Sequence, residues 1–439
     1  MTDDSEPRPR PSSTTPRVET VMSWTVDEPA VRRGPWWRLG VVVAALIAVV
    51  LAFWGAPRLW AVFADGMRGP YGRFPQPVAA QPPVRSARPV ASVPRSTVIY
   101  GGLAIMPARD GVRAVDIVTG RVYWRYPKGK GVPVGGVDRS AGDVFLESTS
   151  GELVRVDIRS GRIRWSRKMP GIGDDRSIVP DAEAATLAFI GSDGMAGISR
   201  TTGKVRWTTK WPGTCPYDSD FSHVTVVPGT LAIACNDYGS RNNAVVGFDP
   251  ATGATRWVLR VSQLSAGASR PSDMVDTLGL VGGRLAVAND DTTSLLDPAT
   301  GRVMAERRWK DQPVAFAGGL QLNVCMDKKD EAICGYDPVT GAELWRSPSG
   351  HIPQLGESLA VADGRVYVVS EVSRNGTAVR ELAVFDGRTG RVLGRSPITG
   401  EADYVYGPVT DGVIAVGGGF YTDLYAERPD IRSPRRLPS

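Results

Sequence analysis

A short phrase recurs seven times along the chain: an apolar run, an Asp, two variable residues, Thr or Ser, then Gly, and four residues later usually Trp. The copies occupy residues 114–124, 155–165, 197–207, 247–257, 295–305, 335–345 and 384–394. Successive phrase glycines are 41, 42, 50, 48, 40 and 49 residues apart. A period of this length is typical of tandem supersecondary units, so the fold must be a repeat architecture.

Each phrase predicts a hairpin between two strands. The residues before the Asp are apolar and often β-branched, which favours a strand, while the Asp can accept hydrogen bonds from backbone amides ahead of it and the Gly tolerates positive φ. A second strand signal precedes most phrases, as in 143–147 (DVFLE) and 284–288 (RLAVA). The remaining length allows one more short strand, so each unit holds four antiparallel strands and the chain predicts an all-β propeller.

The phrase resembles the repeat of the PQQ-like β-propeller family over residues 96–430. Six of the seven copies keep the Asp and five keep the terminal Trp, namely Asp116, Asp157, Asp249, Asp297, Asp337, Asp386, Trp124, Trp165, Trp207, Trp257 and Trp345. The family is named for pyrroloquinoline quinone enzymes and also contains cofactor-free propellers, such as the lipoprotein subunit of the outer-membrane barrel assembly machine. The resemblance therefore implies the fold and leaves two classes of function open.

The blade count depends on the chain after the seventh phrase. Residues 404–426 (YVYGPVTDGVIAVGGGFYTDLYA) repeat the first three strands of a unit, and a fourth strand could come from residues 84–93 near the other end of the chain. Such pairing removes exposed strand edges. We therefore predict eight blades, with seven as the alternative.

The N-terminal region predicts a membrane anchor. Residues 1–35 are polar and rich in Pro, Ser, Thr and Arg, which is typical of a disordered cytoplasmic tail. Residues 36–60 include an uncharged run at 39–57 with tryptophans at its ends, which predicts a transmembrane helix. A cleaved signal peptide ending at 62–64 is the alternative. Residues 61–95 are expected to form a Pro-rich linker and 431–439 a basic tail.

The charge and the cysteines limit which cellular compartment and which partners are expected. Residues 95–439 carry 41 basic and 39 acidic residues, so this region is nearly neutral and a nucleic-acid partner is not expected. The four cysteines form two plausible pairs, Cys215 with Cys235 and Cys325 with Cys334, because predicted antiparallel strands bring each pair together. Disulfides indicate an oxidising compartment, so we expect a single-pass protein of the cell membrane with its propeller outside the cytoplasm. Buried reduced thiols are the alternative.

No pattern in the sequence supports catalysis. Quinone-dependent members of the family have a disulfide between adjacent cysteines and acidic and amide calcium ligands, but no two cysteines are adjacent here. The two histidines, His223 and His351, lie far apart in the sequence, so neither a zinc site nor a His-based triad is predicted. We therefore expect no cofactor and no metal.

Surface recognition remains as the expected function. The loops at 211–221 and 236–243 are longer than minimal turns, and a bond between Cys215 and Cys235 would join them. They carry residue types that favour binding, Trp211, Tyr217, Tyr238 and Arg241. The predicted function is a non-catalytic binding or scaffold module for a protein or a cell-envelope polymer. The alternatives are a PQQ-dependent oxidoreductase and a glycan-binding surface sensor.

Overall fold

The described residues belong to one structural unit of the chain, Val62–Ser439. The computed structural model describes residues 68–79, 89–94, 96–127, 132–147, 151–169, 171, 177–180, 185–215, 223–236, 243–264, 274–327, 330–347, 359–374, 377–398, 404–418, 421–426 and 435–436.

The fold is an eight-bladed β-propeller, so the predicted architecture and blade count are confirmed. Seven blades are consecutive four-stranded antiparallel sheets. Blade 1 contains β2 (Val98–Tyr100), β3 (Leu103–Ala108), β4 (Gly111–Asp116) and β5 (Val122–Tyr126), and blade 2 contains β6 (Val132–Asp138), β7 (Asp143–Glu147), β8 (Glu152–Asp157) and β9 (Ile163–Lys168). Blade 3 contains β10 (Ser177–Pro180), β11 (Thr186–Gly191), β12 (Gly194–Ser199) and β13 (Val205–Lys210). Blade 4 contains β14 (Val224–Val227), β15 (Thr230–Cys235), β16 (Ala244–Phe248) and β17 (Thr255–Arg260). One helical turn, α1 (Val261–Leu264), follows blade 4.

Blade 5 contains β18 (Thr277–Val281), β19 (Arg284–Asn289), β20 (Thr292–Leu296) and β21 (Val303–Arg308). Blade 6 contains β22 (Gln312–Ala317), β23 (Leu320–Asp327), β24 (Asp330–Tyr336) and β25 (Glu343–Arg346). Blade 7 contains β26 (Leu359–Ala362), β27 (Arg365–Arg374), β28 (Thr377–Asp386) and β29 (Val392–Pro397). The first strand of each blade is innermost and the fourth lies at the rim. Turns within a blade alternate between the two faces of the ring. We call the face that carries the phrase turns the motif face, and the other the opposite face.

Blade 8 joins the two ends of the described chain. It contains β30 (Tyr404–Thr410), β31 (Val413–Gly418), β32 (Tyr421–Tyr425) and, as its fourth strand, β1 (Pro89–Pro94), which pairs antiparallel with β32. The borrowed strand was predicted at residues 84–93; β1 is Pro89–Pro94, and residues 84–88 lie outside the described residues. A short fifth strand, β33 (Arg435–Arg436), adds in parallel to β1 and was not predicted. Because β30 contacts both β26 and β2, the ring is closed.

The phrase turns have the predicted geometry. In the first copy, Asp116 Oδ1 accepts hydrogen bonds from the amides of Val118 at 2.8 Å and Thr119 at 2.9 Å. Gly120 has φ of +68°, which a residue with a side chain adopts only under strain. All seven phrase glycines have φ between +63° and +77°. The recurring Asp residues therefore cap their own turns.

The recurring tryptophans seal the boundaries between blades. Trp257 of blade 4 lies against Gly301 in the phrase turn of blade 5, where an added Cβ would come within 2.5 Å of the indole. Its Nε1 donates to the carbonyl of Pro298 at 2.8 Å. Trp124, Trp165 and Trp345 make the same kind of bond to the following blade. Trp207 also lies on the next phrase glycine, but its Nε1 has no hydrogen-bond partner among the described residues.

The boundary between blades 5 and 6 has no phrase tryptophan, because the fifth phrase ends in Ala305; the seventh phrase, which ends in Gly394, lacks it too. Arg307 takes the place of the indole: its guanidinium lies over Gly341 and donates to the carbonyl of Val339 at 3.3 Å. Buried polar side chains line this boundary, including Thr293, Ser294, Asp311, Gln321 and Asn323. A guanidinium thus covers the phrase glycine, while an indole two residues farther along the chain, Trp309, is buried against Tyr336 with ring centroids 4.9 Å apart.

Part of the predicted linker is packed on the propeller. The amide and carbonyl of Arg68 bond those of Arg125 in the rim strand of blade 1 at 2.9 and 2.8 Å. Phe74 meets Tyr123 edge to face, with ring centroids 5.6 Å apart. The Val78 amide bonds the Asp411 carbonyl of blade 8 at 3.0 Å. Residues 68–79 thus form a strap across the motif face, because their aromatic and apolar side chains find partners there, and β1 begins within the region predicted as linker.

The predicted tail at 1–35 and the predicted transmembrane helix at 36–60 lie outside the described residues. Among the residues that are described, no helix has the length and apolar character needed to span a bilayer.

Removing one indole should weaken the ring strongly. Trp124 is fully buried, so we expect Trp124→Ala to lower the free energy of unfolding by about 3–5 kcal/mol through lost burial and the cavity left behind. Leu344 on the rim of blade 6 is 49% exposed, and Leu344→Ala should change it by less than about 0.5 kcal/mol. Urea unfolding measures both variants, and equal effects would contradict the wedge role of the indole.

The phrase turns should also make stability depend on pH. Backbone amides of Thr300 and Thr340 lower the pKa of Asp297 and Asp337, respectively. A carboxyl whose pKa is lowered by folding stabilises the protein above its unfolded pKa, about 3.9, and this stabilisation is lost as the pH falls through the folded pKa. We expect the free energy of unfolding to decrease below about pH 4.

Chemical denaturation at fixed ionic strength from pH 6 to pH 2.5 would measure this dependence. Asp337→Asn should flatten the pH profile relative to the wild type, because the amide cannot titrate. Two carboxyls oppose the trend, because burial raises the pKa of Asp276 and Asp423. A stability that stays constant or rises below pH 4 would contradict the prediction.

Candidate functional site

A polar cavity of about 580 Å³ opens on the opposite face of blade 3. It is lined by Gly171, Ser192, Asp193, Gly194, Met195, Thr208, Thr209, Lys210, Trp211 and Cys215. The β11–β12 turn supplies Asp193, and the end of rim strand β13 supplies Thr208 and Lys210. Hydroxyls, one carboxylate and one ammonium group therefore surround an indole, a combination suited to noncovalent binding of a polar ligand.

Trp211, predicted to bind a partner, forms one wall of this cavity. Its indole is half-buried, and its Nε1 donates to the Gly191 carbonyl at 2.9 Å. The ring meets Phe248 of blade 4 edge to face, with centroids 6.0 Å apart. Trp211 is thus held by blades 3 and 4 and presents a fixed surface to the cavity. The other three predicted residues, Tyr217, Tyr238 and Arg241, lie outside the described residues, so the structure does not bring the four together.

Both predicted disulfide bonds are present. Cys215, in the wall of the cavity, is bonded to Cys235 at the end of β15, with Cα atoms 5.1 Å apart. This bond ties the chain after blade 3 to blade 4. The second bond joins Cys325 and Cys334, whose Cα atoms are 6.0 Å apart on neighbouring strands of blade 6.

A buried polar cluster adjoins the second disulfide. The Tyr336 hydroxyl donates to Asp311 Oδ2 at 2.9 Å, and Cys325 Sγ lies 3.7 Å from that hydroxyl. Burial raises the pKa of Tyr336, and the Asp311 and Glu343 carboxylates raise it further. The tyrosine therefore stays protonated and acts as a donor. The cluster satisfies polar groups at the boundary of blades 5 and 6 and presents no activated nucleophile.

A second cavity, of about 630 Å³, lies between blades 6 and 7 at the motif face. Its walls are mainly apolar and include Phe316, Leu320 and Val361, with Asp363 and Arg388 also lining it. Such a lining can hold an apolar side chain or ring. The described residues there supply no acid–base pair in hydrogen-bond contact.

The donor groups of the described residues do not fit the quinone and calcium that the family name implies. Both disulfides join cysteines that are distant in the sequence, by 20 and 9 residues. No cluster of three or more His, Cys, Asp or Glu side chains able to hold a metal occurs in the described part of the chain.

Sequence reasoning missed both cavities and the Asp311–Tyr336 cluster. Asp193 lies in the β11–β12 turn and Lys210 ends β13, and only the register that places Gly194 opposite Lys210 brings them to one site. Of these two residues, only Lys210 could have been found from the sequence, because it follows a phrase glycine at a fixed distance in the repeat.

The chain resembles known propellers in sequence and in fold. A family model described as outer membrane protein assembly factor BamB matches residues 86–187, 192–328 and 329–416. No curated protein sequence matches significantly. A computationally designed protein, Ika8, has 15% identity and a TM-score of 0.51, with 78% of this chain and 99% of that chain covered.

Two natural proteins are also similar. BamB from Moraxella catarrhalis has 16% identity and a TM-score of 0.48, covering 77% of this chain and 99% of its own. Quinohemoprotein alcohol dehydrogenase from Comamonas testosteroni has 14% identity and a TM-score of 0.47, covering 86% of this chain and 78% of its own. At identities this low, structural likeness concerns the fold alone.

The cavity disulfide should contribute measurably to stability. Its cysteines are 20 residues apart, and cross-linking a loop of that size stabilises a fold by about 3 kcal/mol. We expect the double variant Cys215→Ser, Cys235→Ser to lose about that amount in urea unfolding. Adding a reductant should then lower the free energy of unfolding less in the variant than in the wild type. An unchanged urea midpoint in the double variant would contradict this role.

Proposed function

Because the chain belongs to the family described as outer membrane protein assembly factor BamB, we propose that it is a non-catalytic binding or scaffold propeller. Its partner would be a protein or a polymer of the cell envelope. The observation that carries the proposal is the blade 3 cavity, which gathers an indole, hydroxyls and two opposite charges in a fixed frame. Such groups recognise a surface without reacting with it.

The proposal places the propeller outside the cytoplasm, on a membrane anchor formed by residues 36–60. Two observations support this placement: residues 39–57 are uncharged and long enough to span a bilayer as a helix, and the cysteines of the propeller are paired in disulfides. The amino terminus would then lie in the cytoplasm.

Site-specific cross-linking in intact cells tests the proposal. A photoreactive amino acid at Thr208, exposed in the cavity wall, should capture an extracytoplasmic partner. The same group at Leu344, exposed on the rim of blade 6, is the matched control. Selective capture at Thr208 is the expected result. Equal capture at both positions, or a purified protein that retains stoichiometric quinone and reduces an electron-accepting dye, would overturn the proposal.

A further inference from the structure

Four consecutive blades carry a cation at the same position of the repeat. The residue seven places after the phrase glycine is Lys168, Lys210, Arg260 and Arg308 in blades 2 to 5. In blades 1, 6 and 7 the same position is Pro. The basic residues therefore form one continuous sector of the rim.

Strand register gives these cations equivalent positions. Each lies opposite the first residue of the third strand of its blade: Lys168 faces Glu152, Lys210 faces Gly194 and Arg260 faces Ala244. All three are exposed. They therefore stand at the same height on the rim, where the outer strands end at the opposite face.

Other cations on these strands are occupied within the protein. The arginine just before the tryptophan is bonded to its own blade in each case: Arg164 bonds Asp143, Arg206 bonds Thr186, and Arg256 bonds Asp249. These three residues have structural partners.

The sector ends in blade 5, where Arg308 forms an ion pair with Asp291 at 2.7 Å. By contrast, the side chains of Lys168, Lys210 and Arg260 make no hydrogen bond or ion pair within the described part of the chain. We call these three residues the basic arc. Glu152 and Asp193 are the acidic groups beside it, and the hydroxyl of Ser166 donates to the Glu152 carboxylate.

The middle cation of the arc lines the blade 3 cavity. Lys210 shares that cavity with the indole of Trp211 and with Thr208, Ser192 and Asp193. An aromatic wall with hydroxyl and carboxylate groups can bind a ring that carries several hydroxyl groups, because the ring stacks on the indole while its hydroxyls form hydrogen bonds. The cations on either side can bind negative charges farther along the same ligand.

We propose that the basic arc and the blade 3 cavity bind an anionic glycan polymer, with one sugar unit in the cavity and its acidic groups, carboxylate or phosphate, on the three cations. A flat anionic membrane fits less well, because Lys210 lines a cavity beside the indole of Trp211 and a layer of phosphatidylglycerol headgroups supplies no ring to stack there. A flexible polymer can place one sugar unit in the cavity and its next units along the arc. This inference rests on the proposed function, since it names the partner of that surface.

The full-length protein, tested at two salt concentrations, provides the assay. Immobilised polygalacturonate supplies carboxylates and a sugar-phosphate polymer supplies phosphates, while dextran is the neutral control. With about three charge contacts, binding should weaken roughly twentyfold to fortyfold between 50 and 200 mM salt. The variant Lys168→Glu, Lys210→Glu, Arg260→Glu should lose binding at least tenfold and lose most of that salt dependence.

The matched control variant is Arg121→Glu, Arg302→Glu, Arg391→Glu, which makes the same charge change at exposed positions on the motif face. It should bind like the wild type. The inference would be overturned if both variants lost polymer binding equally, or if dextran bound as well as the anionic polymers. Binding only to phosphatidylglycerol vesicles or only to polyglutamate would also overturn it. If cross-linking at Thr208 captures a protein in cells but the purified protein binds no polymer, the proposed function is supported and the glycan inference is refuted.

Discussion

Contact between a tryptophan of one blade and a glycine in the turn of the next is the interaction on which the ring depends. The indole needs a position without a side chain, and the phrase glycine supplies it while also taking the positive φ of the turn, as Gly301 does beneath Trp257. The Asp of the same phrase fixes that turn. One short sequence therefore sets both the local hairpin and the spacing between sheets, so repeating the phrase repeats the blade.

Where the tryptophan is absent, the boundary changes its chemistry. Arg307 covers Gly341 in place of an indole, and the space behind it is filled by hydrogen-bonded side chains such as Asp311, Asn323 and Tyr336. A cation over a glycine fills less apolar volume than an indole, and the disulfide of blade 6 adjoins the same region. Trp309 is buried against Tyr336 beside that disulfide, so an indole at a different position supplies apolar contact there.

The repeat made the fold predictable, since each phrase specifies a strand pair and its turn. The closing strand was also predictable because an incomplete unit needs a partner, and Pro89–Pro94 overlaps the predicted range 84–93. Contacts between elements without a periodic pattern could not be predicted. Nothing in the sequence shows that Phe74 packs on Tyr123, or that Asp291 neutralises Arg308 while Lys210 makes no ion pair with Asp193. These outcomes depend on distances that arise only after the blades have packed.

Ring closure by β1 and β32 has a consequence for how the chain matures. β1 is translated first among the strands, yet the strand it pairs with is more than three hundred residues downstream. Until that partner arrives, β1 presents unpaired backbone groups along its edges. Closing so large a loop is entropically costly and slow. A nascent chain must therefore be kept from aggregating throughout its synthesis, and a truncation near its end would leave seven sheets formed with no means of closing the circle.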